Sequence, residues 1–238
     1  MSCLQPNLPL VDPNFLGERA DMDRMVHGFR RMQEILAQPA LRSGRRLSHV
    51  FRFDVPLYDK PLLITDAAIN IVPSLLEKVD IIQNAIDFTR LLGVEVPKVA
   101  ILSAVETVTP SIPSTLDAAA LCKMADRGQI TGGLLDGPLA FDNAISMDAV
   151  RIKGITSAVA GQADILAVPD LESGNMVAKQ LEYLAGASGS GLVLGARVPI
   201  ALTSRADGPA ARVASTVLAV LAAHDQRRKR AANAWKQG

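Results

Sequence analysis

Short apolar runs alternate with stretches of helical period along most of the chain, and that alternation limits the folds open to it. The runs that read as strands are 51–55, 61–65, 99–103, 130–135, 165–168, 191–194 and 198–203. Between them lie amphipathic stretches. Met22, Met25, Val26, Phe29, Met32 and Leu36 repeat at helical spacing between Asp21 and Pro39. Ser74-Leu75-Leu76-Glu77 has the form of a capping box and opens a helix through Val79, Ile82, Ile86 and Thr89 towards Gly93. Ser114 is placed to cap a helix that stops before Gly128, and further helices run through Met176, Leu181 and Leu184 and through Val213, Val217, Val220 and Leu221. Strands separated by helices argue for parallel sheets covered on both faces, an α/β fold. Aromatics make up only 4% of the residues against 49% hydrophobic, so the core must be built from Ala, Leu, Ile and Val, as suits buried parallel strands.

Several classes of function are disfavoured. A formal net charge of +1 gives no surface-wide field for nucleic acid, so any phosphate binding must be local. Cys3 and Cys122 make no disulfide framework, and neither they nor His27, His49 and His224 have metal-ligand spacing, so no metal is expected. No apolar stretch approaches the roughly twenty residues of a membrane span, and the start has no signal-peptide pattern, which reads as cytoplasmic with no membrane partner. Gly186, Gly189, Gly191 and Gly195 follow a helix and precede a strand, the reverse of the dinucleotide fingerprint, and Gly132-Gly133 leads to no Lys-Ser/Thr pair. The chain carries no ATP or NAD signature.

The chemistry concentrates where apolar runs end. Ala201-Leu202-Thr203-Ser204-Arg205-Ala206-Asp207 passes from an apolar run to a hydroxyl, a guanidinium and a carboxylate within a few residues. Strand ends at a carboxyl edge are where open α/β sheets bind ligands, and an Arg fork matches phosphate or carboxylate oxygens. Asp66, Ser103, Asp136 and Asp170 close other runs and suggest a polar rim, although turns favour the same residues. In Pro169-Asp170-Leu171-Glu172-Ser173-Gly174-Asn175, Gly174 permits close backbone approach and Asn175 offers a donor and an acceptor; Ser173 or Asn175 could equally cap the next helix.

Four ordered blocks resemble the phosphate acetyltransferase/phosphate butyryltransferase family: Ile64-Thr65-Asp66-Ala67-Ala68-Ile69-Asn70, Asp136-Gly137-Pro138-Leu139-Ala140-Phe141-Asp142, the 169–175 segment, and Gly195-Ala196-Arg197-Val198-Pro199-Ile200 followed by Thr203-Ser204-Arg205. The likeness leans to the butyryltransferase-like branch. It implies an isocitrate/isopropylmalate dehydrogenase-like fold of two parallel-sheet α/β/α domains with a cleft between them. Residues 1–68 and 204–238 would form a discontinuous first domain, shortened at its start, and 69–203 the second. The implied reaction is reversible transfer of an acetyl or short-chain acyl group between acyl phosphate and coenzyme A. Coenzyme A is then a substrate, with no tightly bound cofactor, in a homodimer or other homo-oligomer. Ser204, Arg205 and Asp207 would be catalytic, and Asp66, Asn70, Asp136, Asp142, Asp170, Gly174 and Asn175 would line the cleft. One departure stands out: the acetyltransferase branch has Ser-Arg-Gly with an Asp seven residues after the Ser, where this chain has Ala211 and offers Asp207 instead. Alternatives are butyryl specificity, a non-catalytic shortened paralogue, and an NAD-dependent dehydrogenase of the same fold.

Overall fold

The structure is a computed structural model and describes residues 44–235. The helix expected over 22–36 and the irregular lead-in before it lie outside the described residues. Seven strands form one sheet: β1 (Ser48–Asp54), β2 (Leu62–Thr65), β3 (Lys98–Leu102), β4 (Leu134–Leu139), β5 (Ile165–Ala167), β6 (Ser188–Leu194) and β7 (Ile200–Ala201), in the order β4-β3-β5-β2-β1-β6-β7. Six helices accompany them: α1 (Leu75–Leu91), α2 (Pro113–Asp126), α3 (Phe141–Ile145), α4 (Met147–Lys153), α5 (Leu171–Tyr183) and α6 (Pro209–Trp235).

Strand residues alternate between two buried faces. Leu62 and Ile64, Ala100 and Leu102, and Leu166 point into a core closed by Ala144, Val150, Ala178 and Leu181 of α3, α4 and α5. Leu63, Val99, Ile101, Ile165 and Ala167 point the other way, into a core closed by Ile82, Ala85, Ile86 and Phe88 of α1, Ala118 and Leu121 of α2, and Leu218 and Ala222 of α6. Both faces are covered, so these strands are apolar throughout. The α/β expectation holds.

The sheet is only half parallel. β2–β5, β3–β5 and β3–β4 run parallel, whereas β1–β2, β1–β6 and β6–β7 run antiparallel. The reason lies in the connections: 55–61 and 195–199 are far shorter than the dozen or more residues of a parallel crossover, so each joins antiparallel neighbours. Strands on both sides of residue 68 belong to this one sheet. β1 and β2 sit inside it, paired with β6 and β5, and α6 packs on the same sheet through Leu218 and Ala222.

Local corrections are few. The strand expected over 130–135 lies at Leu134–Leu139 and contains Asp136, Gly137 and Pro138. Pro138 is tolerated because β4 is the edge strand and needs fewer ladder donors. Ile112, not Ser114, is the N-cap of α2, with Pro113 opening the helix, and the Ser114 hydroxyl lies 2.8 Å from that of Ser103. Asp170, rather than Ser173 or Asn175, caps α5 by accepting from the Ser173 amide at 2.8 Å. The Ser74–Glu77 box forms as read, the Ser74 amide donating to Glu77 Oε2 at 2.8 Å. The basic run 227–229 is exposed on α6, and Lys229 pairs with Asp225 at 2.6 Å.

Candidate functional site

After β7 the chain closes a tight turn before α6. Asp207 Oδ2 accepts from the Ser204 amide at 2.7 Å, the Asp207 amide donates to the Ser204 carbonyl at 3.1 Å, and the Ser204 hydroxyl oxygen accepts from the Ala206 amide at 3.3 Å. One Asp207 carboxylate oxygen therefore fixes the turn, while the other makes no hydrogen bond. The Ser204 O–H is still free to donate. Arg205 projects into solvent, and among the described residues its guanidinium has neither an ion pair nor a hydrogen bond. A free fork beside a free hydroxyl can take a tetrahedral oxyanion by paired charge-assisted bonds.

The other residues named from sequence are mostly committed to the fold. Asp66 is buried, 3% exposed, and its carboxylate accepts four hydrogen bonds: from the amides of His49 at 3.1 Å, Ala68 at 2.9 Å and Ile69 at 3.0 Å, and from Asn70 Nδ2 at 2.5 Å. Burial lifts this carboxyl above its ordinary range, against the four donors that pull it down. Asn70 also donates to the Leu47 carbonyl at 2.9 Å and accepts from Arg46 Nε at 2.5 Å, while Arg46 pairs with Glu77 at 2.5 Å. Asp66 and Asn70 thus lock the 66–70 turn to the start of β1.

Gly174 serves packing. A Cβ there would lie 2.6 Å from Val168 Cγ2 and 3.0 Å from Ala67 Cβ, so its absence lets α5 close onto the sheet. Asn175 Nδ2 donates to the Ala67 carbonyl at 3.3 Å, Asp170 is spent as the cap, and Asp136 Oδ1 accepts from the Gly137 amide at 2.8 Å. Asp142 pairs with Lys153 at 3.0 Å, and the lysine holds this carboxyl below its usual range. Sequence reading missed Lys78, which pairs with Asp117 at 2.7 Å beside the carboxyl ends of β2, β3 and β5, and Arg46. No spacing marks either; both are recognisable only once their partners are in place.

The turn and the rim follow strands of opposite direction. Asp66 follows Thr65, and the pairings Val50↔Thr65, His49↔Val193 and Val193↔Ile200 set Asp66 level with the start of β7. Ser204 follows β7, three strands across the sheet from β2. β7 runs antiparallel to β6, so its carboxyl end points away from the carboxyl ends of β2, β5, β3 and β4.

Comparison with known proteins agrees with this fold and these blocks. The family model described as phosphate acetyl/butaryl transferase matches residues 18–220, and the chain belongs to that family. It is 61% identical over 207 residues to a phosphate acetyltransferase of Rhizobium meliloti, covering 87% of this chain and 66% of that one. It is 46% identical over 183 residues to a phosphate butyryltransferase of Clostridium acetobutylicum, covering 77% and 61%. Among solved structures, a branched-chain phosphotransacylase from Enterococcus faecalis V583 matches with a TM-score of 0.74 and 33% identity, over 80% of this chain and 69% of that one. The chain thus spans slightly under two thirds of the length of these two curated relatives.

Proposed function

We propose that the chain carries the phosphoryl-handling part of an acyltransferase that exchanges a short acyl group, acetyl in the first instance, between acyl phosphate and coenzyme A. The free guanidinium of Arg205 beside the free Ser204 hydroxyl, within a family-matched segment, is the observation that carries this reading. The 61% identity to an acetyltransferase, against 46% to a butyryltransferase, supports acetyl. One methylene of acyl chain changes binding by only about 1–3 kcal/mol, so overlapping specificity is expected.

In the forward direction the coenzyme A thiolate attacks the acyl carbonyl carbon. The carbon–oxygen bond to the phosphoryl group breaks, and inorganic phosphate leaves with the electron pair. The thiol, with an ordinary pKa near about 8.5, must first lose its proton, and the free Asp207 oxygen is the proposed acceptor. Arg205 holds the phosphoryl oxygens and stabilises the leaving group. Ser204 donates to the carbonyl oxygen as charge builds there, a contribution typically worth about 10²–10³ in rate.

The test is release of free thiol from acetyl-, propionyl- and butyryl-coenzyme A in phosphate buffer. Phosphate-dependent release, fastest with acetyl, is expected. Absence of release with all three would overturn the catalytic reading and favour a non-catalytic member of the family.

A further inference from the structure

Arg212, the fourth residue of α6, is bound into the Ser204–Asp207 turn. Its Nε donates to the Asp207 carbonyl at 3.1 Å and its Nη2 reaches the Arg205 carbonyl at 3.5 Å. Two of its donors brace the backbone that carries the free guanidinium, and the side chain remains exposed with further N–H groups unused. The segment 204–212 therefore holds two guanidiniums against one carboxylate, and Asp207 gives one of its oxygens to the Ser204 amide rather than to an arginine. No ion pair neutralises Arg205 or Arg212 among the described residues.

We infer that Arg212 is a positioning residue and second cation for the phosphoryl group: it braces the turn that presents Arg205 and completes a two-arginine site for a tetrahedral dianion. The inference rests on the proposed acyl transfer only for the name of the ligand; the site itself follows from charge and geometry. Inorganic phosphate carries more than one negative charge at neutral pH, which a single arginine leaves partly unbalanced. The guanidinium suits both tasks because its planar fork can hold carbonyls with one edge and meet an anion with the other.

The experiment titrates the full chain with inorganic phosphate by calorimetry and measures KM for phosphate and for coenzyme A in parallel. Arg212→Ala should weaken phosphate binding about 10-fold, the scale of a lost charge-assisted bond, with the KM for coenzyme A moving less than about twofold. Arg212→Lys should recover only part, because an ammonium keeps the charge but not the two-carbonyl brace. Phosphate bound as tightly by Arg212→Ala as by the unaltered chain would overturn the inference. So would an equal rise in both KM values, the mark of a merely structural role, or an unaltered chain that binds no phosphate. Phosphate binding lost in both Arg205→Ala and Arg212→Ala, in a chain that transfers no acyl group, would contradict the proposed reaction and leave the two-arginine site standing.

Discussion

Asp66 and Arg205 both end apolar runs in family-matched blocks, yet their side chains have opposite fates. Asp66 spends all four lone-pair directions on donors of its own chain, while Arg205 spends none of its five N–H groups. Asp66→Ala should leave three backbone amides and the Asn70 side chain without their acceptor and cost about 1–3 kcal/mol or more, read as a lower midpoint in urea. The KM of the folded fraction should not change; a changed KM at unchanged stability would return Asp66 to the substrate. His49 behaves differently again. Its ring is 1% exposed with both nitrogens unpartnered, and burial pushes its pKa down to about 3. The folded protein keeps this ring neutral, whereas the unfolded chain takes up a proton below about 6.5. Stability from this site is therefore complete above that pH and lost as pH falls towards 3, by about 2 kcal/mol between pH 6.5 and 5. The raised Asp66 carboxyl has the opposite slope above its ordinary range, so the comparison to make is His49→Phe against the unaltered chain. The variant should lose less stability between pH 7 and 5, and identical slopes would contradict the assignment.

At the level of elements, strand–helix alternation was legible because each buried strand needed its own apolar run and each helix its own stripe. The capping box at Ser74 and the apolar runs of β2, β3 and β5 appear close to where the residues put them. Strand direction was not legible, since a run of apolar residues looks the same whichever way it enters a sheet. β7 thus enters the sheet opposite in direction to β2, which no run of residues announces. α5 shows the same limit at closer range. Gly174 reads from sequence as room for a ligand, and the structure fills that room with Val168 and Ala67. Gly174→Val should accordingly force α5 off the sheet and cost about 1–3 kcal/mol by overpacking, seen as a lower Tm. An unchanged Tm would mean the contact relaxes freely and the glycine is there for something else.

Across the described molecule, one seven-stranded sheet carries a polar rim at the carboxyl ends of its parallel strands and the Ser204–Asp207 turn after its last strand. Several rim side chains, Asp66, Asn70 and Asp170 among them, are hydrogen-bonded within the chain. The turn holds the groups left without partners, and the family-level chemistry is assigned there. Arg205 carries the proposed phosphoryl contact, so the most direct measurement is the steady-state kinetics of Arg205→Ala with phosphate and coenzyme A each varied. The KM for phosphate should rise about 10- to 100-fold, the loss of charge-assisted bonds to an oxyanion, with the KM for coenzyme A little changed. Equal shifts in both constants, or none in either, would contradict the assignment of the phosphoryl group to this turn.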